Sequence, residues 1–221
     1  MFSDYGCATF ESDEFWIFIT DYRIAFGTIF VIFGTICNFY GKVALQFLVA
    51  IAGLMVGIFC CLILYFVVWY DTSLLKPWAF WVCFSFGVLV GGAAGYFMAM
   101  SKKLAKAFVS GYMGFCLALM LNFLCLYILA SETIFWVVNT VFVIVFTIFG
   151  AKCRQKHMIW VTAIDGSYIV SRGIALLSGH YQNEYDLINL MKIGAITKRE
   201  WYVYGYFLVF LILLIMGIWF Q

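Results

Sequence analysis

Apolar residues run along this chain in blocks longer than a soluble helix can bury, separated by short polar patches. The first block spans about Tyr22 to Tyr40, and the second follows almost at once from Val43 to Tyr70. The third, Pro77 to Met100, opens on a proline, whose missing N–H costs nothing at a helix start. The fourth covers Leu104 to Ala130, the fifth Thr133 to Gly150, the sixth Met158 to Gly179 and the seventh Trp201 to Phe220. A membrane helix needs ~20 mostly apolar residues to cross ~30 Å of hydrocarbon. The pattern therefore predicts an all-α fold: a polytopic bundle of seven transmembrane helices in one domain over residues 1–221.

Two stretches fall outside the spans. Residues 1–21 are acidic and aromatic, and Phe15, Trp16, Ile17 and Phe18 suit an interfacial position. Residues 180–200 form the one sizeable loop. There Leu187, Leu190, Met191 and Gly194 recur at helical spacing, with Asn183 able to cap and Asp186 in the first turn. A short amphipathic helix on the outer surface and an irregular loop are level readings of that stretch. Thr197 and Glu200 then make a capping box ahead of the last span.

Composition agrees with lipid as the solvent. Of 221 residues, 66% are hydrophobic and 11% charged, with a mean hydropathy of +1.04. The eight cysteines are scattered with no C-x-x-C pair, so neither a zinc nor a thioredoxin-like site is expected. The net charge of +2 does not point to nucleic acid, and the partners expected are membrane lipids and other membrane subunits. An acidic N-terminus without a basic region gives no signal peptide and no Arg-rich presequence.

Where the charges fall matters more than their sum. The turns after spans one, three and five hold Lys42; Lys102, Lys103 and Lys106; and Lys152, Arg154 and Lys156, with no acid among them. Ten of the eleven acids lie on the other side. The positive-inside bias puts the N-terminus outside and the C-terminus inside.

Helices in lipid associate through close packing, which small residues permit. Span three carries Gly87, Gly91 and Gly95 at i, i+4 spacing, which reads as a glycine zipper. Gly53 and Gly57 in span two, Gly111 in span four, and Gly166 and Gly173 in span six repeat the theme. Spans two, three, four and six are therefore expected at the centre.

Asp165 is the one acid inside a span, and Arg172 follows seven residues later. That places both on one helix face, ~10.5 Å apart along the axis. An ionisable group at membrane depth costs at least ~2.5 kcal/mol, so both should point into the bundle. They read either as a transport or proton pathway, or as an internal ion pair with links to Asn183 and Glu184 in the following loop. Arg172 could also snorkel to the surface.

The stretch Thr162-Ala163-Ile164-Asp165-Gly166-Ser167-Tyr168, then Arg172-Gly173-Ile174, Gly179 and Asn183-Glu184, resembles the transmembrane protein 198-like family. The turn Phe39-Tyr40-Gly41-Lys42 and a last span ending at Phe220-Gln221 are similar as well. The resemblance implies a seven-span bundle. Two departures stand out: Gln182 replaces a frequent proline, and Asp165 adds a charge, so no role for Asp165 comes from the family. Animal members are associated with Wnt receptor signalling.

No H-E-x-x-H, G-x-S-x-G, P-loop or dinucleotide fingerprint occurs. His157 and His180, ~35 Å apart along a helix, cannot share a haem. No enzyme and no cofactor beyond bound lipid is expected. The first functional expectation is an accessory subunit of a larger membrane complex, with respiratory or ATP-synthase assemblies of the mitochondrial inner membrane as the setting. A solute or ion transporter using Asp165 and Arg172 is the second. A plasma-membrane signalling scaffold, by family resemblance alone, is the third.

Overall fold

The computed structural model describes residues 22–69, 77–124, 132–179 and 201–221. The 1–21 and 180–200 segments, with Asn183, Glu184 and the Thr197/Glu200 box, lie outside the described residues. Among those described, six α-helices and no strand occur: α1 (Arg23–Trp69), α2 (Pro77–Met100), α3 (Lys102–Leu124), α4 (Glu132–Lys152), α5 (Met158–Ser178) and α6 (Trp201–Phe220). The chain is an all-helical, polytopic membrane fold.

Local chemistry accounts for several boundaries. Pro77 begins α2, at the position where its lost N–H is harmless. Only Ser101 separates α2 from α3, and its hydroxyl lies 3.5 Å from the Leu104 amide. A 3-10 turn, Gln155–His157, leads into α5. Gly179 closes α5 at φ 77°, donating its amide to the Leu176 carbonyl. A left-handed residue at this position favours glycine, which has no Cβ to clash.

One boundary differs from the sequence reading. No turn separates the first two spans over Phe39–Lys42; α1 runs through them for 47 residues. A single glycine costs a helix only about 1 kcal/mol, and no proline or left-handed residue stops the chain here. The two halves nonetheless keep different company. Gly27, Gly34 and Gly41 face α5, whereas Gly53 and Gly57 face α2.

α3 and α4 form an antiparallel pair in which Gly111 faces Thr147, Gly114 faces Phe142, and Gly150 receives Ser110. α6 lies along α5, held by Ser171 Oγ donating to the Tyr206 carbonyl at 3.0 Å. The basic residues gather where α3 begins and α4 ends: Lys106 Nζ donates to the Cys153 carbonyl at 3.2 Å, with Lys102, Lys103, Lys152, Arg154 and Lys156 exposed or part-exposed around it. Arg23 lies at the far end, beside Gly179.

The outer faces are apolar. Trp81, Phe86, Leu89, Phe97, Trp136, Ile144, Trp160 and Trp219 are all exposed, an inverted distribution that a water-soluble monomer does not sustain. Among the described residues, four stretches have the length and apolar character to cross a membrane: Arg23–Gly41, Trp81–Met100, Lys102–Asn122 and Thr133–Lys152. α5 is not among them, because it carries the polar residues, and most of its side chains are buried.

The centre is consequently not where glycine counting puts it. α5, α3 and the middle of α1, from Cys37 and Asn38 to Leu45, Leu48 and Val49, form the core, while the distal part of α1 and α2 make a marginal hairpin. The glycines of that hairpin are used up on each other: an added Cβ on Gly57 would strike Gly91, and one on Gly53 would strike Gly95. The opposite face of α2 keeps its Trp81, Phe86 and Leu89 outward.

Candidate functional site

Interior polar side chains are unevenly distributed: among the described residues α5 presents half of them, and the other helices share the rest. Thr162, Asp165, Ser167 and Ser171 are all buried on this one helix. An isolated polar group at membrane depth must find a partner or stay costly. Asking which of them do so sorts the site.

Asn38, fully buried on α1, is the hub of the satisfied set. Its Nδ2 donates to the Leu213 carbonyl of α6 at 3.0 Å, and its own carbonyl accepts from Gln221 Nε2 at 2.6 Å. Ser167 Oγ donates to the Ala163 carbonyl at 2.6 Å and stands 3.3 Å from Asn38 Oδ1. Gln221 Oε1 lies 3.1 Å from Thr162 Oγ1, whose single proton also reaches the Met158 carbonyl at 2.9 Å. Three helices are thereby knotted at one level. Gly166 and Gly217 permit it: a Cβ on either would overlap Asn38.

Arg172 is also occupied. Its Nε donates to the Tyr168 hydroxyl at 3.0 Å, and its guanidinium carbon lies 5.3 Å from that ring's centroid. Tyr168, one turn back, thus stands between Arg172 and Asp165. Spacing along the helix permitted an ion pair, but the carboxylate of Asp165 makes no hydrogen bond to the guanidinium or to any other described group.

Ser110 Oγ and Asn139 Oδ1 are buried without a partner among the described residues, but Asp165 is the one carboxyl in that position, and both of its oxygens are affected. It is 2% exposed, and neither carboxylate oxygen has a hydrogen-bond partner. Seven residues from the start of α5, it sits ~10 Å in from the lysine-bearing end. Cys37 of α1 and Tyr112 of α3 are close enough to interact with its charge. Tyr112 is partly exposed on the outside of the bundle. The hydrophobic cluster of Cys116, Leu119, Phe135, Tyr168 and Phe210 adjoins it through Ile164. Among the described residues, no group of three or more His, Cys, Asp or Glu side chains comes together to hold a metal ion.

Of the residues singled out from the sequence, Asp165, Gly166 and Gly173 share the α1–α5 interface, with Gly173 packed 2.9 Å from the Gly27 carbonyl if given a Cβ. Gly53, Gly57, Gly87, Gly91 and Gly95 line the α1–α2 seam, and Gly111 lies between α3 and α4. Asn183 and Glu184 are outside the described residues. Sequence reasoning missed Asn38, Gln221 and the Gly27, Gly34, Gly41 series. A seven-residue glycine interval and a lone amide within an apolar run were the available signals.

No curated protein matches this chain, and no solved structure does. A family model does: the TM7S3/TM198-like domain matches residues 27–221, from the first half of α1 through α6. All six helices fall at least partly within the match, as does the polar segment of α5. The chain is an integral, multi-pass membrane protein of the TM7S3/TM198-like family.

Proposed function

We propose that this protein moves an ion or small solute across its membrane without catalysing a chemical conversion, and that Asp165 is the group on which movement depends. The observation carrying this reading is the isolation of Asp165 in an interior where Asn38, Thr162, Ser167 and Ser171 are bonded. Interhelical glue explains those four. It does not explain a buried carboxyl that bonds to nothing, and an intramembrane ionisable residue marks a pathway more often than a scaffold. Arg172 then serves as a neighbouring fixed charge near the opposite end of α5, steadied by Tyr168. The test is flux in vesicles containing the full chain. Asp165→Asn should abolish it and Asp165→Glu should keep part of it; equal flux in wild type and Asp165→Asn would refute the reading.

A second reading has its own support. The α1–α2 hairpin is closed by Gly53, Gly57, Gly87, Gly91 and Gly95, read as a zipper, and turns large apolar residues outward. That face suits attachment to other membrane subunits, the role of an accessory subunit in a larger assembly. The mitochondrial inner membrane is the first setting to test, and the plasma membrane the second. Extraction in mild detergent should then recover the protein with companions, whereas a monodisperse monomer would remove this reading.

A further inference from the structure

The ion at Asp165 can be specified further by asking what its surroundings are able to bind. Resting on the transport reading above, we propose that Asp165 is a reversible proton-binding site, held as the neutral carboxylic acid in this closed arrangement of the bundle.

The argument is one of ligand supply. A metal cation leaving water needs several oxygens to replace its hydration shell: six to eight for calcium, about six for magnesium. Potassium filters spend rings of carbonyls on the same problem. Among the described residues no group of His, Cys, Asp or Glu gathers with Asp165 to hold a metal ion, and neither of its oxygens has a hydrogen-bond partner. A proton needs only one oxygen. It also removes the charge, which is the costly part of burying a carboxylate away from water.

Among the described residues no base is bonded to Asp165 to hold it ionised. From α1 the facing ionisable group is Cys37 and from α3 it is Tyr112, a thiol and a phenol. On α5 itself Tyr168 comes next, with Arg172 beyond it and bonded to it. Residues 201–221, which include α6, carry no charged side chain. Protonation also turns one oxygen into a donor, for which a carbonyl one turn back on the same helix is a suitable acceptor. Ser167, Asn122 and Asn139 use that geometry to Ala163, Ala118 and Phe135.

Infrared spectroscopy of the full chain in phosphatidylcholine vesicles tests this. At neutral pH a carboxylic-acid C=O band should be present in wild type and lost in Asp165→Asn. It should reappear displaced in Asp165→Glu, and vanish reversibly as pH rises. Sodium, potassium or calcium at fixed pH should leave it unchanged. Absence of the band at neutral pH, or its removal by one of those cations, would overturn the proposal. Should Asp165→Asn fail to fold, aspartate carrying a carbon-13 carboxyl supplies the assignment through the isotope shift, with Asp165→Glu identifying the residue. The two readings fail separately. A titrating band without Asp165-dependent flux defeats transport and leaves the proton site. Asp165-dependent flux without the band defeats the proton site and leaves transport.

Discussion

The two halves of α1 are built on the same device and come to different ends. Both present spaced glycines to an antiparallel neighbour: Gly27, Gly34 and Gly41 to α5, Gly53 and Gly57 to α2. The first half gains a third helix and a buried amide. Asn38 bonds to Leu213 and Gln221, and Thr162 and Ser167 complete the knot. The second half has one cross-helix side-chain bond among its described residues, Gln46 Nε2 to the Ala99 carbonyl at 3.1 Å, near its root. Glycine brings backbones together, and directional polar bonds between three helices make the arrangement hard to leave. In lipid, where apolar burial supplies no force between helices, that distinction should govern stability.

The largest effect should come from Gly166→Leu, because the new side chain falls on the Asn38 backbone with α6 behind it. Overpacking typically costs ~1–3 kcal/mol and more where relief is blocked, so the upper end or beyond is expected here. Loss of a monodisperse peak in gel filtration, or a steric-trapping measurement, would show it. Gly91→Leu collides with α1 equally, but α2 can move out into lipid. The expected loss is ~1–3 kcal/mol, with the hairpin parting and the rest intact. A disulfide between cysteines placed at positions 46 and 99 should fail in that variant, while one between positions 162 and 221 still forms. If both crosslinks failed together, the two halves would not be independent and the comparison would break.

Asn38→Ala comes next. It removes the bond to Leu213 and leaves Ser167 with its own carbonyl partner, so ~1–2 kcal/mol is expected from interhelical bonds of this kind. Asn122→Ala and Asn139→Ala should cost less, within ~0.5 kcal/mol, since both amides donate to their own helix one turn back. Thermal unfolding of the variants side by side would rank them. An Asn122 effect equal to that of Asn38 would mean that bonding across helices is not what separates the two regions.

A distance measurement sharpens the same contrast. An unbent helix of 47 residues extends about 70 Å, over twice the hydrocarbon thickness. Both halves of α1 are apolar enough to seek the same layer, so in a bilayer its axis is expected to bend where the partners change, between Gly41 and Gly53. Spin labels at Ile29 and Leu64, both exposed, would stand about 52 Å apart along a straight axis. A clearly shorter distance in bilayers is expected.

The span boundaries were readable from local pattern because hydrocarbon thickness sets the length and polar residues mark the ends. Pro77–Met100 and Trp201–Phe220 coincide with the expected stretches, and α5 ends one residue early, at Ser178. The turn at Phe39–Lys42 was misread because one glycine and one lysine are weak breakers beside helical hydrogen bonding on either side. Asp165 was conspicuous as a charge in an apolar run. Its solitude was not, since seven-residue spacing made Arg172 an equally good partner until Tyr168 was seen to occupy the guanidinium.

The amino-acid order alone therefore settled solvent, helix type and span length, for each follows from the apolar run that a bilayer requires. Which glycine meets which, whether α3 or α2 lies inside, and that Asn38 is bonded while Asp165 is not, were settled only by the fold. Those outcomes depend on residues more than a hundred positions apart, such as Asn38 and Leu213, and no local pattern along the chain encodes the partner across an interface.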